Sequence, residues 1–291
     1  MNAAKQNPSL PTRIFQRGIL FVILLTLFPV MDLVAGVLVA PPVVFISEKG
    51  RTGRLTVQNP TNAPKEISIS FSFGLPESDS LGNVNIHLND SAVTDPRSAL
   101  GWVKAFPRKL IIPANGSQIV RFVASPPQDL PDGEYWARVV VEAQEGATSI
   151  PTPTDDDKIT TKLNMIMRTA IMLKYRTGDL VASLDMEKAE ARLIDSTVQV
   201  MLDFTNKGNV SYVGVLACRL LDADGNEVSN YDLHLAVYHN LRRRVELPVV
   251  AGDFKAPYRV EVTVTNKGRK DIPAEEMIYG NDISQTLAIG S

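Results

Sequence analysis

The sequence predicts an all-β protein made of two immunoglobulin-like β-sandwich domains behind an N-terminal signal peptide. Three observations predict it. Apolar and polar residues alternate over many short runs, as in residues 67–73 (ISISFSF) and 258–265 (YRVEVTVT), and a period of two places one row of a strand in a core and the other in water. The runs are separated by Asn-Pro, Asn-Gly, Asp-Gly and Pro-Pro pairs, which close strands and turn the chain. Between residues 37 and 177 no stretch carries a convincing helical period.

Taken in order, residues 1–36 have the layout of a secretion signal. Lys5, Arg13 and Arg17 precede an apolar run over residues 18–31, broken only by Thr26 and Pro29. Val34, Ala35 and Gly36 then offer small residues for cleavage after Gly36. The apolar run is shorter than the roughly 20 residues that a spanning helix needs, although an uncleaved anchor is the other reading of the segment. The mature chain is expected in a bacterial periplasm.

The first domain is expected over residues 37–177. Residues 37–46 form a strand interrupted by Pro41 and Pro42, hence an edge strand or one that switches between sheets. Leu55 and Val57 lead into the Asn59-Pro60 turn, and Ile67, Ile69, Phe71 and Phe73 alternate with serines. Residues 84–88 give a short strand inside a polar stretch. Residues 102–112 and 117–124 read as a pair joined by Pro113-Ala114-Asn115-Gly116, and residues 134–142 (EYWARVVVE) as a further strand. Asp155, Asp156 and Asp157 lie in a loop that lacks the alternating ligands of a calcium site.

Residues 163–176 (LNMIMRTAIMLKYR) form the longest strand. Leu163, Met165, Met167, Thr169, Ile171, Leu173 and Tyr175 share one almost wholly apolar row. Two readings fit: a central strand whose apolar row is core, or a strand whose first half is an open edge on which another protein's strand pairs.

The second domain is expected over residues 178–291, after a hinge at Thr177-Gly178-Asp179. Strands are expected over residues 196–204, 213–221 and 228–238, the last two joined by a hairpin through Asp224-Gly225, and over 258–265 as the last clear strand. Arg242, Arg243 and Arg244 stand together; they suit either an anionic ligand or a solvated edge that discourages strand pairing. The tail after Lys270 is polar and carries no clear element.

Composition narrows the function. The formal net charge is −2, with one cysteine (Cys218) and three histidines (His87, His234, His239). A disulfide within the chain is impossible, no metal-ligand spacing is present, and no basic field suits nucleic acid. No nucleophile elbow, phosphate loop or HExxH occurs. No catalytic residue, metal, cofactor or small-molecule substrate is expected, and the protein reads as a non-enzyme.

The strand LNMIMRTAIMLKYR resembles the signature strand of the periplasmic pilus-assembly chaperones, the PapD-like family, which runs roughly L-x-I-x-L-R-x-x-I-K-L-x-Y-R-P. LTVQNPTNAP, FPRKLIIPANGSQIVRF and LPDGEYWARVVV are similar to other passages of that family and follow in its order. The resemblance implies that Leu163, Met165 and Met167 are donor residues filling the groove of an incomplete subunit. It implies secreted pilin-like or other surface subunits as partners, with an outer-membrane usher as a further one. The alternative is an Ig-like structural or adhesive module of the cell envelope. The family's carboxylate clamp is altered here. Met172 stands where the family has lysine, Thr177 where it has proline, and Val43 or Val44 where it has arginine. Lys174, Arg176 and Arg51 are the candidate replacements, with Arg54 beside them.

Overall fold

The structure, a computed structural model, describes residues 36–89, 94–145, 165–250, 252 and 254–290. The expected signal other than Gly36, the three aspartates at 155–157, and Leu163 lie outside them. Eleven strands fill the first half: β1 (Leu38–Ala40), β2 (Val43–Ser47), β3 (Thr52–Gln58), β4 (Lys65–Ser72), β5 (Pro76–Ser78), β6 (Val84–Ile86), β7 (Val103–Phe106), β8 (Lys109–Ile112), β9 (Ser117–Ala124), β10 (Gly133–Glu145) and β11 (Met167–Thr177). A four-stranded sheet in the order β1-β3-β9-β7 faces a five-stranded sheet in the order β2-β11-β10-β4-β8. Leu55, Val57, Ile67, Val120, Phe122, Val139, Val141 and Leu173 meet between them, all shut off from solvent. These are the inward rows of the alternating runs, and each such side chain removed from water contributes about 1.5–3 kcal/mol.

Prolines decide which strand joins which sheet. β1 pairs with β3, whereas β2 lies parallel to β11 in the opposite sheet. The crossover falls at Pro41-Pro42, as expected for residues that donate no ladder hydrogen bond. A second crossover corrects the sequence reading. Residues 102–112 do not form one strand paired with 117–124: β7 pairs with β9, but β8 pairs with β4 across the sandwich. Pro107 stands between β7 and β8, so the Asn115-Gly116 turn joins strands of different sheets instead of closing a hairpin.

The second half contains β12 (Leu184–Ile194), β13 (Thr197–Asn206), β14 (Tyr212–Leu221), β15 (Glu227–Val237), β16 (Asn240–Pro248), β17 (Arg259–Thr265) and β18 (Ile283–Gly290). They run in the order β15-β14-β17-β18-β12-β13-β16. β18 holds the sheet together: it pairs antiparallel with β17 and then, at Ile289 and Gly290, parallel with β12. The tail is therefore an element, contrary to the expectation from its polar composition. β14 and β15 form the expected hairpin, with a register shift between Leu220 and Leu221.

The same asparagine device closes a turn in each half. Asn59 is buried; its carboxamide donates to the Ala63, Ile112 and Pro113 carbonyls at 2.8, 3.1 and 3.0 Å and accepts from the Thr61 N–H. Asn206 donates to Val210, Val237 and Tyr238 and accepts from the Gly208 N–H. Each side chain ties its own turn to a neighbouring one by donating to carbonyls in both.

Candidate functional site: a half-paired strand and a filled junction

β11 pairs with β10 along its whole length, from Gly133↔Thr177 to Ala143↔Met167. On the other side β2 covers only Met172 to Arg176. Residues 167–171 therefore carry one open row of backbone donors and acceptors among the described residues. Their side chains follow the same division. Tyr175, Leu173 and Ile171 are in the core; Thr169 and Met167 are half-buried; Met165, just before the strand, is 55% exposed. The apolar row leaves the sandwich while remaining apolar, and Ile166 beside it is also exposed. The strand begins at Met167, later than the expected residue 163; Met165 and Ile166 have no ladder partner.

Further along β11 the outward row enters the junction between the two halves. Met172 packs with Phe73, Leu75, Trp136 and Tyr238, with Val43 and Ala236 beside them. The Trp136 and Tyr238 rings meet edge to face at 5.0 Å. The two positions at which the resemblance placed a basic clamp are thus apolar, and Met172 is covered by a side chain from the second half.

Two residues further along that row lies a buried ionic cluster that the sequence did not announce. Glu134, at the start of β10, is completely buried. Its Oε1 accepts from Lys174 Nζ at 3.1 Å, Trp136 Nε1 at 2.7 Å and Ser211 Oγ at 2.5 Å, and its Oε2 accepts from Arg176 Nε at 2.8 Å. Lys174 Nζ also donates to Ser211 Oγ. Arg176 reaches on to the carbonyl and carboxylate of Glu276 in the second half. Burial pushes the Glu134 carboxyl up, but Lys174, Arg176 and the bonds from Ser211 and Trp136 outweigh it and hold the group at about 2. Burial lowers the Lys174 ammonium, the Arg176 charge adds to the fall, and Glu134 offsets only part of it.

Two of the three candidate clamp residues are therefore already engaged. Lys174 and Arg176 hold an internal carboxylate, and Lys174 is only 2% exposed. Arg51 stays exposed at a turn, at φ 49°, with no ion pair among the described residues. No grouping of His, Cys, Asp and Glu suited to a metal occurs among the described residues. No helix there is long and apolar enough to cross a membrane.

No protein-family model matches the chain, and no curated protein does. Among solved structures it is similar to the YadV chaperone, at 16% identity and a TM-score of 0.43, over 87% of this chain and 98% of that one. It is similar to the CupB2 chaperone of Pseudomonas aeruginosa at 16% and 0.41, over 87% and 100%. The CsuC–CsuE chaperone–tip adhesion subunit pre-assembly complex of Acinetobacter baumannii gives 13% and 0.45, over 88% and 100%. At such identities no side-chain role carries over from one chain to another.

Proposed function

We propose that the protein is a periplasmic chaperone-like protein that captures and caps secreted pilin-like or other surface subunits by β-strand donation. The observation that carries this is the open edge of residues 167–171, flanked by exposed Met165 and half-buried Met167. An open edge with apolar side chains is an aggregation hazard unless a partner covers it. A subunit lacking one strand supplies that cover: its backbone pairs with the edge, and Met165, Met167 and Leu163 enter the gap in its core. Flexible thioethers suit pockets of varied shape. Arg51 and Arg54 are the exposed candidate cations left to meet a subunit carboxylate.

The test is co-expression with a pilin-like subunit missing its last strand, read by native mass spectrometry and by hydrogen exchange. A one-to-one complex should form and residues 167–171 should become protected. Met165→Asp with Met167→Asp should abolish the complex while circular dichroism and the melting temperature stay close to the parent. If the double variant unfolds, these side chains are core and strand donation is wrong.

The filled junction favours a second reading, an Ig-like structural or adhesive module of the envelope, since Val43 and Met172 offer no charge to a subunit terminus. That reading expects no complex with any strand-lacking subunit.

A further inference from the structure

The three consecutive arginines of β16 do not share one environment. Arg242 is bound by Asp203 through two hydrogen bonds, at 2.6 and 2.8 Å. Arg244 donates to Asn83 Oδ1 at 3.0 Å and pairs with Glu246 at 3.3 Å. Arg243 has no acceptor among the described residues, and its Nε is shut off from solvent.

Its position explains why this matters. Leu241, Val245 and Leu247 alternate with the outward residues of β16 and are buried in the second core. Arg243 stands in that inward row, so a guanidinium replaces a core side chain. β16 and β15 are the two edges of the seven-stranded sheet, and the row opens there into a cavity of about 520 Å³. Arg243, Arg244 and Glu246 line it from β16, and Tyr231 from β15. The turn at Gly82 and Asn83 closes it from the first half. That turn is pinned in place: Arg244 N–H donates to the Gly82 carbonyl at 3.1 Å, and Gly82 sits at φ 77° where a Cβ would come within 2.7 Å of Arg244 N. The only carboxylate lining the cavity, Glu246, is taken by Arg244, and the Tyr231 hydroxyl has no partner among the described residues.

A half-enclosed guanidinium without an acceptor carries a desolvation cost that its own chain leaves uncompensated. Its planar fork fits two oxygens of one oxyanion. We propose that this cavity is a binding site for a small oxyanion, a phosphate or carboxylate group, with Arg243 as its principal donor and Tyr231 as a second. The site spans both halves of the molecule and is separate from the edge of β11.

The experiment is calorimetric titration of the full chain with inorganic phosphate and, separately, with acetate, at constant ionic strength. Saturable binding of at least one of them is expected; phosphate alone marks a phosphate site, acetate alone a carboxylate site. Arg243→Gln should weaken it about tenfold or more, since a hydrogen bond to a charged group contributes about 1.5–3 kcal/mol. Arg243→Lys should also weaken it, having the charge but not the fork. Tyr231→Phe should weaken it with the melting temperature unchanged, and so tests the site even where an Arg243 variant fails to fold. Arg192→Gln, at an exposed residue on β12, should bind as the parent does. No saturable heat with either anion overturns the proposal, as does equal binding by the parent and all three site variants. Arg243 then serves only as an inward charge that keeps the sheet edges from pairing with other chains.

Discussion

Replacing Glu134 by Gln removes the only negative charge buried between Lys174 and Arg176 while keeping the shape of the side chain. Trp136 and Ser211 keep an acceptor, but one carboxylate oxygen becomes an amide NH2 facing a cation. Breaking a buried pair by removing one partner costs about 3–5 kcal/mol. Proton linkage gives a similar size. The carboxyl is lowered from 4.5 to about 2, and at about 1.4 kcal/mol per unit this is roughly 3 kcal/mol. The sign is that of a depressed carboxylate: the folded state holds the proton less tightly, so the stability is complete above about pH 4.5 and is lost as pH falls toward about 2. Urea denaturation of parent and Glu134→Gln at neutral pH should therefore differ by about 3–5 kcal/mol, or roughly 6–20 °C in melting temperature for a chain of this size. The two should converge between pH 4.5 and pH 2. Glu142→Gln is the control on the same strand, since Glu142 meets Arg168 at 3.3 Å with Arg168 exposed and Glu142 half-buried at the surface, and such solvent-reached pairs contribute about 0–1 kcal/mol. A loss below about 1 kcal/mol for Glu134→Gln, or no convergence at low pH, would refute the account of the cluster.

Lys174→Met should cost clearly less than Glu134→Gln in the same denaturation series, because Glu134 keeps Arg176, Ser211 and Trp136 and the three-residue cluster goes from one excess positive charge to none. Leu173→Ala should cost about 2–5 kcal/mol by thermal or urea denaturation, as expected for a fully buried leucine. Met165→Ala, eight residues earlier on the same row and exposed, should leave the transition within about 0.5 kcal/mol of the parent. Asn206→Ala removes the bonds to three carbonyls, one in the turn after β13 and two where β15 turns into β16, and should cost at least about 1–3 kcal/mol, with hydrogen exchange rising first at residues 206–210.

β10 and the core half of β11 are buried on both faces and show as apolar runs between turn signals, whereas alternation was enough to read β4 and β9, where one row is core and most of the other reaches water. It failed where the period itself breaks. In β12 the register shifts between Met186 and Lys188, so Leu184 and Met186 fall out of phase with Ala189 and Ala191 and no amphipathic row is visible. In β18 the polar run Ser284-Gln285-Thr286 interrupts the apolar row: Leu287 is in the core and Ile283 and Ile289 are only partly buried against it, so no clean alternation marks the strand. The apolar row of the candidate site was legible because its apolar character persists past the core. Its open side was not, since that depends on where β2 stops pairing. Glu134 was read only as the first residue of a strand. Its meaning lies in a cross-strand register, Glu134↔Arg176 and Trp136↔Lys174, and in Ser211, 77 residues away.

The crossover at Pro41-Pro42 makes the first strand a rival for the edge it leaves open. β2 lies on β11 with Val43 opposite Met172; continuing that parallel register backwards would set Ala40 against Thr169 and Leu38 against Met167. Those residues instead sit on β3, opposite Thr56 and Gln58. One segment thus has two possible berths and fills one. Were it to swing across and seal residues 167–171, β3 would become the bare margin of the other sheet, and Val37 would leave its core. Among the described residues such a swing moves the vacancy from one sheet to the other without removing it.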